Sequence, residues 1–544
     1  MTDRCAASLT RRAFLRQGAC GLATVYTLGT AHAGPRSAGK AEGKAPFRVL
    51  YNNDSTNLVG CVSPWHRQGE PLSDRALVAS IDEVAGQGVD CYLLSPGLGW
   101  IPWWKSAAYP DHYEWWTKKT GLQPDTYGQY MLQGGDVVRT LVARCRELGL
   151  APFVTFRLND CHLQEHYGEK NAASIFVSRF YEEHPEYMLN PRHKETKDYS
   201  GTRGQNWAVP EVRAYKLALI RELCENYDLA GLELDFLRDD HLFRSTETTE
   251  DERIKIITGF VRDVRAALDR GSRSRRYLCV RIPLQLSRHG ASGLSVPRLV
   301  DAGTDMFNLS GWYHTTQRTD LPQVRALAPD AALYLELTHS TGNHPYWHKE
   351  QLYGTSAWPR TSDAQFYTTA HLAYERGADG LSFFNFVYYR DHAVAPTREP
   401  PFQVLARMTN REWLAEQSQD YFLAQGCYYS QLPVQLAQGK AHILEMDLAP
   451  PKRPRSASAR LRVHTAAPLA GARVHVAVND TSLEPTADVS AFYGNPYDGM
   501  ISPPDCRLAW SCPTACLKDG LNHLALQCDS PQGIRVIFVD LAVS

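Results

Sequence analysis

The chain lacks an excess of charge of either sign. Among 544 residues, 58 lysines and arginines face 59 aspartates and glutamates, a formal net charge of −1. With no basic field to gather a polyanion, nucleic-acid binding drops out of the candidate functions. Beyond Thr30 no stretch is apolar for long enough to span a bilayer. Cysteine pairing motifs are missing as well: there are 13 cysteines, mostly scattered singly, and none in a CxxC spacing. Cys506, Cys512 and Cys516 are close enough in sequence to pair or to ligate a metal. Without nearby histidine partners they read as a local disulfide or as buried free thiols. No cofactor is expected, and no resident metal.

At the N-terminus, Arg11-Arg12 is followed by Ala13-Phe14-Leu15 and a weakly hydrophobic run, then by the small-x-small box Ala31-His32-Ala33. That order is the pattern of a twin-arginine export signal over 1–33, with the mature chain starting near Gly34. Cys20 follows Gln17-Gly18-Ala19, which lacks the apolar residue of a lipoprotein box, so an exported, unanchored protein is expected. Removal of Cys5 and Cys20 with the signal leaves an odd number of cysteines, unlike a disulfide framework. Residues 34–46 read as a flexible leader.

From Phe47 to residue 418, short β-rich runs alternate with helical segments, the pattern of a parallel sheet. The runs are Phe47–Asp54, Val89–Gly97, Ala151–Asn159, Leu229–Phe236, Tyr277–Gln285, Met306–Tyr313, Ala332–His339 and Gly380–Tyr388. Eight such units predict an α/β fold, a (β/α)8 barrel. Ser73 before Asp74 and Thr361-Ser362 before Asp363 read as helix caps, and Gly149, Gly303 and Gly377 as helix stops. The stretch from Cys161 to Pro210 reads as an insertion on the face where barrels build their sites. Over 419–544 the texture changes to alternating runs such as Ala459–His464 and Arg535–Val543, predicting an antiparallel β-sandwich. Tyr493, Tyr497 and Trp510 are its only evident aromatic platform, so support of the barrel weighs at least as much as ligand binding.

In a barrel strand one side-chain parity points inward. In Leu232-Glu233-Leu234-Asp235-Phe236 the apolar parity must face the helices, so Glu233 and Asp235 point in, as does Glu336 of the seventh run. Arg157 and Asn159 with the following Asp160 and His162, Arg281, and Trp312 join them near the upper rim. Carboxylates inside a barrel are costly unless paired or functional. One alternative is therefore a core ion network in which Arg157 or Arg281 merely neutralises an acid. Aromatics crowd the same rim: Trp100, Trp103, Trp104, Trp115 and Trp116 after strand two, Trp312 and Tyr313 after strand six, Trp347 and Trp358 after strand seven, and Tyr388 after strand eight. Sugar rings stack on such side chains while their hydroxyls bond to Asn, Asp, His and Arg.

The runs Phe156-Arg157-Leu158-Asn159-Asp160-Cys161-His162, His184-Pro185-Glu186-Tyr187, Val209-Pro210-Glu211-Val212-Arg213 and Gly231-Leu232-Glu233-Leu234-Asp235-Phe236 resemble secreted glycosyl-hydrolase-like barrels. The resemblance covers most of the barrel and implies a carbohydrate-active enzyme with a carbohydrate substrate. The chain departs from two better-defined patterns. It has no Asn-Glu at the end of strand four, and Leu237 stands where chitinase-like barrels carry an acid. His162-Leu163-Gln164-Glu165-His166 also matches the H-x-x-E-H of inverted zinc peptidases, but it directly follows a barrel strand and has no downstream ligand segment.

Glycoside hydrolysis by two carboxylates is therefore expected, with Asp235 (or Glu233) as acid and Glu336 as nucleophile or base. Arg157, Asn159, Asp160, His162, Arg281, Trp312, Tyr313, Trp103, Trp104 and Tyr388 would position the sugar. Inward arginines further suggest an acidic glycan. The alternatives are a non-catalytic glycan-binding barrel, or a metal-assisted hydrolase or lyase with an ion near Asp160 and His162. The export reading has a direct check: Arg11→Lys with Arg12→Lys should leave precursor in the cytoplasm on fractionation, whereas undiminished export of that variant would remove it.

Overall fold

The parity that divides each strand into an apolar and a polar row is realised as a closed barrel. The computed structural model describes residues 43–54, 58, 63–67, 70–161, 177–190, 204–270, 272, 274–342, 358–390, 399–426, 430–450, 458–469 and 471–544. The export signal, most of the leader, the HxxEH motif from His162 onward and Trp347 lie outside these residues. Eight parallel strands pair in chain order, and the last returns to the first. They are β1 (Val49–Asn53), β2 (Cys91–Leu94), β3 (Ala151–Arg157), β4 (Gly231–Asp235), β5 (Tyr277–Pro283), β6 (Met306–Ser310), β7 (Ala332–Thr338) and β8 (Gly380–Phe384). Each lies within one of the eight expected runs. Helices cover the outside of the barrel and side chains fill the inside, so nearly every strand residue is buried.

The helices on the outside are α1 (Asp74–Asp82), α2 (Val137–Glu147), α3 (Pro210–Asn226), α4 (Glu250–Asp269), α5 (Val296–Asp301), α6 (Leu321–Leu327), α7 (Asp363–Glu375) and α8 (Arg411–Glu416). Ser73 caps α1 by accepting from the Ala76 amide, and Ser362 with Gln365 closes a reciprocal capping box on α7. The stop after α2 needs Gly149, whose φ of 72° lies in the left-handed region. The tryptophan-rich stretch after β2 holds more order than its sequence suggests. It forms a tight hairpin, Gly97–Leu98 against Ile101–Pro102, and helices over His112–Thr120 and Thr126–Leu132.

The C-terminal strands form two antiparallel sheets. They are β9 (Gln419–Ala424), β10 (Val434–Leu436), β11 (His442–Leu448), β12 (Ser458–Thr465), β13 (Val474–Val478), β14 (Thr481–Ser482), β15 (Glu484–Thr486), β16 (Arg507–Pro513), β17 (Gly520–Cys528) and β18 (Ile534–Val543). One sheet runs β9-β18-β12-β16-β15 with β10 also on β18, and the other runs β11-β17-β13-β14. Leu444, Leu461, Val476, Trp510, Leu524 and Leu541 meet between them. Trp510 is thus core, and Tyr497 packs on Tyr389 of the barrel with ring centroids 5.6 Å apart, so neither ring is an open platform. The nine described cysteines are all free, with Cys512 and Cys516 sulfurs 3.7 Å apart.

The sandwich docks on α7, which explains why that helix is buried on almost every side. Gln317 stitches the two parts together: its Nε2 donates to the Asp420 carbonyl (3.1 Å) and its Oε1 accepts from the Phe422 amide (2.8 Å). Arg376, at the end of α7, grips Asp447 of β11 through both Nε and Nη2. A chain ending at Gln417 should therefore expose the outer face of α7. It should lose most of its soluble yield and melt several degrees lower than the full chain; equal yield and melting temperature would show that the sandwich does not brace the barrel.

Candidate functional site

The strand register sorts the inward side chains into layers. Leu50, Leu93, Phe153, Met306 and Tyr334 fill the N-terminal end. Above them the interior turns polar. Thr155 of β3 aligns with Glu233 of β4, and one step higher Arg157, Asp235, Arg281 and Asn308 align across β3 to β6.

Glu233 lies in the lower polar layer with no exposure to solvent. Its Oε1 accepts from Asn52 Nδ2 (2.9 Å) and Thr155 Oγ1 (2.7 Å), and its Oε2 from Asn308 Nδ2 (3.0 Å) and Cys279 Sγ (3.5 Å). Burial pushes its carboxyl up to about 7; Arg281 works against that shift, and Asp235 and Glu336 add to it.

Arg281 occupies the centre of the upper layer and is itself fully buried. Its Nη1 donates to both oxygens of Asp235 (3.0 and 2.9 Å), and its Nε and Nη2 donate to Glu336 (2.8 and 2.6 Å). Burial disfavours the guanidinium charge, but Asp235 and Glu336 outweigh it and hold its pKa above the ordinary arginine value. Glu336 also accepts from Ser310 Oγ (2.6 Å) and Asn308 Nδ2 (3.1 Å), so each of its oxygens receives two hydrogen bonds. Asp235 differs. Its Oδ1 additionally accepts the amides of Leu237 (2.9 Å) and Arg238 (3.3 Å), while its Oδ2 accepts from Arg281 alone. Of the three strand carboxylates, only Asp235 keeps an oxygen with acceptor capacity to spare.

At the rim, Arg157 stands between Asp54 and Asp160, with nitrogen–oxygen distances of 3.6 Å to each. Asp160 accepts from the Gly99 amide (3.3 Å). Arg157 and Asp160 line a small cavity of about 20 Å³ whose walls include Trp100, Trp104, Ile101 and Leu219. Tyr388 donates to Asp54 (3.5 Å), and the Arg238 guanidinium lies 5.0 Å from the Tyr313 ring. Trp312, two residues past the end of β6, donates its amide to Ser310 Oγ (2.9 Å). Asp239, after β4, is half-buried and accepts from the Cys161 amide (3.1 Å).

Two of the expected sugar contacts are engaged within the protein. Asn159 braces loops, bonding the Gln205 amide (2.8 Å) and the His241 carbonyl (2.7 Å). Trp103 is buried flat against Tyr127 at 3.8 Å. His162 lies outside the described residues.

Sequence parity overlooked Asp54, although it continues the inward row of Asn52. It also missed a pattern in the backbone. Trp100, Asp239, Trp312 and Asn385 have φ of 68°, 60°, 73° and 53°, and they stand in the loops that follow β2, β4, β6 and β8. Left-handed conformations at non-glycine residues are strained, and strain of this kind concentrates at functional sites. Among the described residues no three His, Cys, Asp or Glu side chains converge as a metal-binding group. Asp240 instead pairs with Arg288 (2.6 Å) and His241 (3.2 Å) in a polar loop.

No protein-family model and no curated protein matches the chain. Several solved structures align with most of it at low similarity. A maltogenic α-amylase from Thermotoga neapolitana is 12% identical over 87% of this chain and 98% of its own, with a TM-score of 0.37. α-L-Fucosidase isoenzyme 1 from Paenibacillus thiaminolyticus is 12% identical over 88% and 97%, with a TM-score of 0.35. An α-amylase from Geobacillus thermoleovorans is 11% identical over 92% and 98%, with a TM-score of 0.36. Likeness at these values bears on neither substrate nor mechanism.

Glu233 makes the site sensitive to pH. Its folded pKa of about 7 lies above the ordinary glutamate value of about 4.3. The folded state thus holds the proton more tightly, and this contribution is full below about pH 4 and lost as pH rises to about 7, a loss on the order of 3 kcal/mol. Urea unfolding of wild type and Glu233→Gln at pH 5 and pH 8 should show wild type losing stability relative to the variant. Parallel changes would mean that Glu233 carries no proton in this window.

Proposed function

We propose that the protein hydrolyses glycosidic bonds at the C-terminal mouth of the barrel, on an oligo- or polysaccharide. Asp235 is the carboxylate that meets the substrate, Arg281 and Glu336 hold it in place, and Asp239 is the proton donor. The observation that carries this reading is the Oδ2 atom of Asp235, the one oxygen among Glu233, Asp235 and Glu336 with a single hydrogen bond. Expectation had Asp235 as the acid and Glu336 as the attacking group. The hydrogen bonds favour another division: both Asp235 oxygens face donors, which suits an anion that attacks or activates water. Glu336 has no spare lone pair and no exposure, which suits a positioning residue. Asp239 suits the donor role because it is less buried than Asp235 and stands on the loop leaving the same strand.

The acidic-glycan expectation keeps one support: Arg157, which lines the rim cavity, has both terminal nitrogens without a hydrogen-bond partner and only approaches Asp54 and Asp160 at 3.6 Å. The Arg281 clamp also favours a second reading, a non-catalytic glycan-binding barrel, because it ties both Asp235 and Glu336 into a core ion network.

On an oligosaccharide that wild type cleaves, Asp235→Asn should lower kcat on the order of 10²–10⁴-fold and, because it removes one of the two carboxylates that hold buried Arg281, should also lower the melting temperature. Glu336→Gln should lower both, because it strips Arg281 of a buried partner, at a cost of about 3–5 kcal/mol. Asp239→Asn should spare substrates whose leaving group needs no protonation. Turnover by Asp235→Asn at the wild-type rate would favour the binding reading for this pair.

A further inference from the structure

The sandwich holds a chemistry that the barrel mouth does not use. The sulfur atoms of Cys512 and Cys516 lie 3.7 Å apart, in van der Waals contact. Cys512 ends the inward row of β16 after Leu508 and Trp510 and has no exposure to solvent. Cys516 closes the 3₁₀ turn Thr514–Cys516 and is the one cysteine among the nine described that is not buried. The pair therefore joins a protected thiol to one nearer the surface.

The contact is held from several sides. Leu517 donates its amide to the Thr514 carbonyl (3.1 Å), and Asn479 Nδ2 donates to the Cys516 carbonyl (2.7 Å). Asn479 is fixed in turn by Asn522, whose Oδ1 accepts from it at 2.8 Å. β16 belongs to one sheet and β17 to the other, so residues 514–519 form the crossover between them. Other described cysteines are occupied differently: Cys279 donates to Glu233 (3.5 Å) and Cys528 to the Leu436 carbonyl (3.6 Å). Among the described residues no third His, Cys, Asp or Glu joins Cys512 and Cys516, so the pair does not build a metal site.

We propose that Cys512 and Cys516 are an oxidation site, at which a small disulfide of the glutathione type converts the two thiols into one intrachain disulfide and pins the crossover to β16. The Cys516 thiolate attacks the oxidant, forming a mixed disulfide and releasing one glutathione. Cys512 then attacks the Cys516 sulfur, the Cys512–Cys516 bond forms and the second glutathione leaves. Two electrons pass to the oxidant, and the two thiol protons end on the released glutathiones. The order follows from burial, which together with the Cys516 sulfur pushes the Cys512 thiol up and leaves it the poorer first nucleophile. Contact then gives Cys512 an effective concentration at the mixed disulfide that free glutathione does not reach. The step is independent of any reaction at the barrel mouth.

In the test, the full chain is reduced, freed of reductant and incubated with oxidised glutathione at mildly alkaline pH. It is then denatured in iodoacetamide, digested with trypsin and read by mass spectrometry. The peptide Leu508–Lys518 carries both cysteines and no other. From wild type it should be recovered without alkyl groups and about 2 Da lighter than its dithiol form. Cys512→Ala should instead hold glutathione on Cys516, because nothing is left to resolve the mixed disulfide, and Cys516→Ala should keep Cys512 as a free thiol. A wild-type peptide that takes two alkyl groups, or that keeps glutathione on Cys516, would overturn the proposal. A disulfide from either cysteine to another peptide would do the same. These readings come from wild type itself, so they stand whether or not either variant folds.

Discussion

The upper half of the barrel is organised by one guanidinium. Arg281, shut off from water, is held by Asp235 on one side and Glu336 on the other, and both acids are buried with it. None of the three could be buried alone: an isolated charge in that layer would be neutralised or would open the barrel to solvent. Together they form a hydrogen-bonded triad whose remaining valences are taken by Ser310, Asn308 and the amides after β4. The same Asn308 amide reaches Glu233 one layer down, so the polar core is continuous from the middle of the barrel to its mouth. Such networks contribute geometry more than net stability, and here the geometry they fix is the direction of Asp235.

What stands on that base is a mouth with a strained backbone. Left-handed residues recur in the loops after the even-numbered strands, where the chain leaves the barrel. The arginines differ in what they have left to give: Arg281 is engaged by Asp235, Glu336 and Ser310, whereas Arg157 only approaches Asp54 and Asp160 at 3.6 Å and both its terminal nitrogens lack a hydrogen-bond partner.

The C-terminal sandwich braces the scaffold that carries this site. It closes over α7 and ties into the loop after β6 through Gln317, so the helix preceding β8 is held on both faces. The strand that leads to Tyr388 therefore starts from a fixed support. Trp510 and Tyr497, the rings that might have marked a carbohydrate surface, are spent on the sandwich core and on the contact with Tyr389.

Sequence alone determined the strands, their order and their parity, because a barrel strand is buried on both faces and any polar residue within it must point inward. That is why Glu233, Asp235, Arg281 and Glu336 could be placed from one row of letters. Parity says which way a side chain points but not how far along the axis it sits or what it meets. Only the closed barrel, through its register, set Glu233 a layer below Asp235 and brought Asp235 and Glu336 onto a single arginine. The same holds for the loops. Trp103 and Asn159 looked like sugar contacts because tryptophan and asparagine at a rim can be either ligand groups or packing, and composition does not distinguish them. That both terminal nitrogens of Arg157 go without a hydrogen-bond partner gave no sequence signal, since such a group is defined by the absence of a partner atom. That absence belongs to tertiary structure, because a hydrogen bond depends on where atoms from distant parts of the chain come to rest.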